Sequence, residues 1–306
     1  MPTAAVHIGL PKTGSTTIQA FLAANRQALA GRGVVVDPPR HDRWSQLEYG
    51  LVACSRAGRP IPDEMVRHRL GLARLSDQDA LADAFEAWLD ERLAGLGDAH
   101  YVISSEHLGI WLTEPETRAA LDTWLTARFG DVRYILFVRP QAEFILSSWS
   151  ESIRRGSDRT LADFVAGYDE LDVHATMRAW DADFGARLTI LAMPKGAALL
   201  AAFAEAAGLP AGLPEGEAPR NPALNARAAE ILRRINAVIG PAVGRSPLKR
   251  AAFAAIRRAV TVLVPGPRLR LSSAQVAGIE ARYPHSVPAY IAARARPAGA
   301  APAAAP

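Results

Sequence analysis

The 306-residue chain has a single cysteine, Cys54. A lone thiol excludes an intramolecular disulfide framework and leaves too few thiolates for a cysteine-based zinc site, so Cys54 is expected to serve as a small buried hydrophobe. No run of eighteen uncharged apolar residues occurs, so no membrane-spanning helix is expected. The first predicted strand begins within a few residues of Met1 with no basic-then-apolar leader before it, and a soluble, cytoplasmic protein is expected. Lysine is scarce: Lys12, Lys195 and Lys249 are the only three among 35 basic residues. Acid is scarce in the last third. From Ala218 onward there are fourteen Arg/Lys and two Asp/Glu, a formal +12, so a net +4 leaves about −8 on the first 217 residues. The basic residues lack the aromatic interleaving or finger spacing of a nucleic-acid binder, and no nucleic-acid partner is expected. No internal repeat or heptad register is present, and the sequence leaves the oligomeric state open.

What is present is ample apolar material, 49% of residues, enough for a sizeable core. Short apolar runs predict strands at Ala5–Leu10, Gly33–Val36, His100–Ser104, Val132–Val138 and Arg187–Leu191, with helical periodicity between them. This alternation predicts an α/β fold, a three-layer α/β/α arrangement around a central parallel sheet. A long helix is expected between Asp79 and Leu96, burying Leu81, Phe85, Trp88, Leu89 and Leu93 and exposing Asp83, Glu86, Asp90 and Glu91. Trp111, Trp124, Trp149 and Trp180 are expected in the core or a cleft wall. Gly- and Pro-rich Pro210–Pro222 marks a boundary. The expected organisation is an α/β domain over 1–217, a basic helical extension over 218–296 packed on it, and a disordered Ala/Pro tail over 297–306.

The most informative segment is His7-Ile8-Gly9-Leu10-Pro11-Lys12-Thr13-Gly14-Ser15-Thr16-Thr17. An apolar strand runs into a loop with one lysine, and a helix follows whose apolar face carries Ile18, Phe21, Leu22 and Leu29, with Gln19, Asn25 and Arg26 elsewhere. Free N–H groups at a helix N-terminus, the positive end of its dipole and small hydroxyl side chains together form an anion cradle. Gly14 lets the backbone bend there. In a chain this biased to arginine, a loop lysine suits a site that needs a compact, mobile point charge. The spacing Gly9-x4-Gly14 is P-loop-like, but Ser15-Thr16 stands where a nucleoside-triphosphate P-loop has Lys-Ser/Thr, and no strand ends in an evident acidic magnesium ligand. A second element is Tyr134-Ile135-Leu136-Phe137-Val138-Arg139-Pro140, a buried strand leading into a helix, with Ser147 eight residues beyond Arg139. An arginine at a strand's carboxyl end can donate two N–H bonds to a phosphate, and a helical serine can add a hydroxyl.

Pro11-Lys12-Thr13-Gly14-Ser15-Thr16-Thr17 resembles the 5′-phosphosulfate loop of the sulfotransferases that use 3′-phosphoadenosine 5′-phosphosulfate (PAPS), bacterial sulfotransferase-like proteins among them. Arg139 with Ser147 resembles that family's 3′-phosphate motif, in the same order and at similar separation. The resemblance implies a P-loop-like fold, PAPS as co-substrate without a metal, and an acceptor hydroxyl or amine on a carbohydrate, lipid or small molecule. It also implies a general base at the end of the third strand, in Ser104-Ser105-Glu106-His107-Leu108. His107-Leu108 is similar to the His-Leu of the cytosolic enzymes, where that histidine is the base, whereas other branches use glutamate. If the strand stays extended through both residues, Glu106 and His107 point to opposite faces and one enters the cleft. His41 is a third candidate base, set against its reading as a solvent-exposed loop histidine. Lys12 would stabilise charge on the departing phosphate. Arg220-Asn221-Pro222 sits where some members return a late loop over the donor, but the family's Arg-Lys-Gly triplet is missing. The alternatives are a P-loop kinase using ATP–magnesium and a non-catalytic member that binds nucleotide or sulfated glycan. Pro247–Pro265 has the makings of a basic amphipathic helix in peripheral contact with a membrane, alongside its reading as part of a solvated helical bundle.

Overall fold

The computed structural model describes residues 1–194, 196–214, 224–243 and 247–294, with side chains at 240–243, 247–250 and 252 left out. Five strands, β1 (Thr3–Ile8), β2 (Val34–Val35), β3 (His100–Ser105), β4 (Asp131–Val138) and β5 (Leu188–Ala192), form one sheet in the order β2-β3-β1-β4-β5. All neighbouring pairs are parallel. The helices are α1 (Ser15–Ala30), α2 (Glu48–Arg56), α3 (Glu64–Leu70), α4 (Leu75–Ala94), α5 (Glu106–Trp111), α6 (Pro115–Thr126), α7 (Gln141–Arg155), α8 (Leu161–Ala166), α9 (Val173–Phe184), α10 (Ala198–Ala206), α11 (Ala226–Val243), α12 (Pro247–Leu263), α13 (Ser273–Arg282) and α14 (Val287–Arg294). The predicted α/β class and parallel sheet hold. Strand boundaries shift by at most two residues; β1 ends at Ile8, so Gly9 and Leu10 leave the sheet.

The described chain divides into two compact units. The first takes in Met1–Val138, Ala175–Pro219 and Pro288–Pro306, and the second Arg139–His174 and Arg220–Val287. The segment after β4 groups with the basic helices. Arg220-Asn221-Pro222, Lys195 and the 297–306 tail lie outside the described residues.

In the first unit the sheet is buried on both faces, as a parallel sheet with crossover helices must be. One face carries Ala5, Val102, Ile135 and Phe137, covered by Ile18, Phe21, Leu22 and Leu29 of α1 and Leu199, Leu200 and Phe203 of α10. On the other, Tyr134 stacks on Phe184 of α9 with ring centroids 4.3 Å apart and donates to Asp122 of α6 at 2.8 Å. Helices on both sheet faces give the three layers. Two polar residues of α1 expected away from the core are in it: Asn25 is buried and donates to the carbonyls of Phe21 and Pro214, both at 2.9 Å, and Gln19 is buried too. Amide hydrogen bonding to main-chain carbonyls is what makes burial of Asn25 tolerable. In α4 the fully buried residues are Gln78, Ala82, Phe85 and Leu89; Leu81, Trp88 and Leu93 flank that stripe, half-buried. Gln78 is inside because its amide accepts from Ile61 N–H and donates to Arg59 C=O, both at 2.8 Å. All four tryptophans and Cys54 are buried as expected, and burial pushes the thiol up to about 12.

The second unit is helical. Asn236 of α11 donates to the carbonyls of Ile153 (2.8 Å) and Ser157 (2.7 Å) at the end of α7, and α7 stops at Gly156, whose φ of 111° favours glycine.

His7 is a buried titratable group at the centre of the sheet. It stands opposite Ser104 on β3, its Nδ1 2.9 Å from Ser104 Oγ, with edge-on contacts to Phe137 and Phe203. Desolvation pushes its pKa down to about 3. A depressed folded-state pKa means the unfolded chain binds the proton more readily, so stability is full above the ordinary histidine value and falls as pH drops from about 6.5 toward 3. The slope from this group should approach about 1.4 kcal/mol per pH unit. Urea unfolding of His7→Asn should show a shallower loss of stability between pH 6.5 and 5 than the parent, whatever its stability at pH 7; equal slopes would mean His7 is not the group responsible.

Candidate functional site

The site begins where β1 runs out. β1 lies between β3 and β4, so its carboxyl end marks the point where successive connections leave in opposite directions, which is where open α/β sheets bind ligands. Gly9 makes the exit possible. A Cβ there would sit 2.8 Å from the Cα of Glu106 and 2.8 Å from Ser15 Oγ, so only glycine lets the start of α5 and the start of α1 come this close. Gly109 of α5 completes the approach, since its Cβ would lie 2.5 Å from the Gly9 carbonyl oxygen.

The turn from Pro11 to Gly14 is tied down from inside. The Leu10 carbonyl accepts from Thr13 Oγ1 at 2.7 Å and from Ser15 Oγ at 3.2 Å. Gly14 caps α1 in the left-handed region at φ 87°, and its carbonyl accepts from Thr17 and Ile18 N–H at 2.9 and 3.1 Å. Lys12 also has positive φ, 64°, and among the described residues no other non-glycine does. A left-handed lysine costs about 1–2 kcal/mol and persists only when its surroundings hold it. Thr13 and Ser15 spend their hydroxyls on the loop itself, whereas Thr16 and Thr17 stand half-buried on the first turn of α1. With Thr17 and Ile18 N–H taken by Gly14, the Ser15 and Thr16 N–H groups precede the helical ladder, so the loop end of α1 presents donors and the positive end of a dipole.

Glu106 and His107 are not on an extended strand. β3 ends at Ser105 and α5 starts at Glu106, so the two side chains leave a helix rather than opposite sheet faces. Glu106 is half-buried, with its backbone against Gly9 of the loop stem and its N–H donating to Ser45 Oγ at 3.2 Å. His107 is buried. Its Nδ1 lies 2.7 Å from the same Ser45 oxygen, and its ring packs 4.4 Å from that of Trp111. Burial lowers its pKa to about 4 against the opposing charges of Asp42 and Asp63. Asp42 is held below its usual range although burial pushes it up, because the N–H groups of Trp44 and Ser45 donate to it at 2.9 and 3.0 Å. His41, the third candidate, is not loose in solvent: its Nδ1 and its N–H lie 3.0 and 2.8 Å from the buried Glu48 carboxylate.

Ser45 is the residue that sequence reading passed over. It links Glu106, His107 and, at 3.2 Å, Ser105 Oγ, from about sixty residues earlier in the chain, and no local pattern marks it. The Lys12 loop and Glu106 are thus brought together in the first unit. Arg139 and Ser147 belong to the second. Arg139 directly follows Val138, the last residue of β4, and is half-buried; burial lowers its guanidinium pKa while Glu143 raises it. Ser147 is half-buried on the second turn of α7. Among the described residues no cluster of three or more His, Cys, Asp or Glu side chains could hold a metal ion.

In comparison with known proteins, the chain matches no family model, and no curated protein matches it.

The backbone at Lys12 and Gly14 makes opposite demands on substitution. Gly14→Ala should lose roughly 1–3 kcal/mol, because it forces an L-residue to φ 87° with the new methyl 2.3 Å from Leu199 Cδ2. Lys12→Gly relieves a left-handed side chain and should leave stability unchanged or raised, within about 1 kcal/mol. Chemical denaturation of the two variants beside the parent tests the pair; a marked destabilisation by Lys12→Gly would show that the lysine side chain is there to hold the fold.

Proposed function

We propose that the chain transfers a sulfuryl group from PAPS to a hydroxyl or amine, using Lys12 and the N-terminus of α1 at the phosphosulfate and Glu106 as the general base. The observation that carries this reading is the strained Lys12 turn at the carboxyl end of the central strand, with the backbone of half-buried Glu106 set against its stem. Strain of this kind collects at sites where a side chain must be pre-positioned. When bound, PAPS supplies a sulfuryl group whose bond to the bridging oxygen breaks as the acceptor oxygen or nitrogen bonds to sulfur, leaving adenosine 3′,5′-bisphosphate. Lys12 and the first-turn N–H groups neutralise the negative charge that collects on the 5′-phosphate. Glu106 takes the acceptor's proton onto its carboxylate. Among the two adjacent candidates the half-buried Glu106 suits this role better than His107, whose ring is buried against Trp111 with Nδ1 engaged by Ser45. His107 and Ser45 then position the start of α5. Arg139, with Ser147, is assigned the 3′-phosphate, for which a guanidinium's paired N–H donors are suited.

A second reading, phosphoryl transfer from ATP–magnesium, has one observation in its favour: Glu106 follows a strand adjacent to β1, where a carboxylate could hold the metal. The loop chemistry favours the first reading, since Ser15-Thr16 replaces the lysine–hydroxyl pair after Gly14.

Calorimetric titration separates them. Adenosine 3′,5′-bisphosphate should bind without metal and more tightly than ATP–magnesium, and Arg139→Ala should weaken it about tenfold to a hundredfold, the cost of losing charge-assisted bonds. With PAPS and an acceptor, Lys12→Ala should lose on the order of a hundredfold or more in turnover, and Glu106→Gln should lose more than His107→Gln. Preference for ATP–magnesium would overturn the assignment in favour of the kinase. Binding of the bisphosphate with no turnover on any acceptor class would leave a nucleotide-binding protein in its place.

A further inference from the structure

We infer that the outer face of α12 docks on an anionic lipid bilayer, a property separate from the donor chemistry and carried by the second unit alone. The helix packs inward through Phe253, Arg257, Val260 and Thr261; Arg257 stacks over Phe253 and donates to the Arg154 carbonyl. The residues left outside fall on the opposite side of the same helix. Ala255, Ile256, Ala259, Val262 and Leu263 are all exposed, Ile256 by 40%, Val262 by 66% and Leu263 by 74%. At 100° per residue these five span about a third of the helix circumference, and Arg258 borders them. A surface helix ordinarily turns charge to water and aliphatics to the core. Here the side facing away from the unit is aliphatic.

The charge around this face supplies the partner's chemistry. Past the end of α12 the chain returns through Pro265, Gly266 and Pro267 to a bridge between Asn225 and Arg268, which sets exposed Arg268 and Arg270 beyond Leu263, while Arg227 donates to the Pro265 carbonyl at 3.3 Å. Arg258, Arg268 and Arg270 make no ion pair with the described residues. The one acid between Asn225 and Arg270 is Glu230, and Arg233 and Arg234 hold it at 2.8 and 2.7 Å. Bare aliphatics bordered by uncompensated arginines suit the headgroup boundary of an anionic membrane, where acyl chains take the aliphatics and lipid phosphates the guanidinium groups. A nucleic acid would satisfy the arginines but leave Val262 and Leu263 in water. A second copy of the chain would cover the aliphatics but bring like charges together.

The experiment is sedimentation of the full chain with vesicles of phosphatidylcholine alone or with 30 mol% (about one lipid in three) phosphatidylglycerol, a composition chosen to reach a surface potential on the order of −50 mV. Binding should require the anionic lipid and weaken with salt. The double variant Val262→Asp/Leu263→Asp should lose at least about tenfold in partitioning. Arg268→Gln/Arg270→Gln, which leaves the aliphatics in place, should lose about fivefold per arginine removed. Unchanged melting curves and unchanged adenosine 3′,5′-bisphosphate binding in both variants would confirm that the fold and the donor site are intact. Equal binding to neutral vesicles, no binding to either, or binding indifferent to both variants overturns the inference. So does a concentration-dependent dimer that the double aspartate variant dissociates, since the face would then belong to a second copy.

Discussion

Everything in the first unit is referred to β1, a six-residue strand hydrogen-bonded on both sides and buried on both faces. Such a strand has no free backbone donors or acceptors over its length and no polar surface to turn to water, so it can neither slip nor tilt without breaking two ladders. His7 is part of that constraint. It is the one imidazole in the sheet interior, paired across to Ser104 and enclosed by Phe137 and Phe203, and a one-residue slip would exchange it with Val6 or Ile8 and bury it against the opposite layer. Register fixed in this way fixes the position of Gly9, and Gly9 in turn decides how near Glu106 and Ser15 can come. The candidate site is therefore set by sheet geometry first and by its own side chains second.

Much of this was readable from residue patterns because parallel strands are continuous apolar runs, and runs such as Tyr134–Val138 have no competing interpretation as amphipathic helices. The Lys12 loop was readable for a different reason: Gly9 and Gly14 stand where no side chain fits, and local punctuation survives without tertiary context. What could not be read depends on partners distant in sequence. Asn25 and Gln78 are polar at interior positions, and what makes them interior is a set of carbonyls and N–H groups on remote loops, including Pro214 for one and Arg59 and Ile61 for the other. Whether the strand continues through Glu106 and His107 is open in the sequence because Ser-Ser-Glu-His fits either state; Ser45, sixty-one residues back, accepts the Glu106 N–H there. The grouping of Arg139–His174 with the C-terminal helices has the same origin, since Asn236, Arg257 and Arg282 all bond carbonyls in that segment.

Arginine has different uses in the two units. In the first it meets carboxylates: Arg56 with Asp83 and Glu86, Arg128 with Glu86 and Asp90, Arg118 with Asp183, Arg187 with Asp122 at 2.7 Å. In the second its ion pairs are local, Arg155 with Glu151 and Arg233 and Arg234 with Glu230, and its long-range bonds go to main-chain carbonyls. Arg282 donates to Val165 and Ala166 at the end of α8, and Arg257 to Arg154 near the end of α7. Carbonyls at a helix C-terminus lack intrahelical donors and carry the negative end of the dipole, so a guanidinium there satisfies two needs without a carboxylate. The charge of Arg257 and Arg282 is thus partly absorbed by helix ends.

The same preference gives Lys12 its meaning. A guanidinium is a rigid fork suited to fixed acceptors, and this chain uses it wherever an acceptor is fixed, in ion pairs and at helix ends. Lys12 sits at a left-handed turn, φ 64°, beside the start of α1, where under the proposed reading the charge to be met changes as bonds break. An ammonium on a four-carbon stem can follow that charge, whereas a planar fork would have to be re-aimed. One of the chain's three lysines stands at this turn, and under that reading the strain in its backbone keeps a mobile point charge where a planar fork would serve less well.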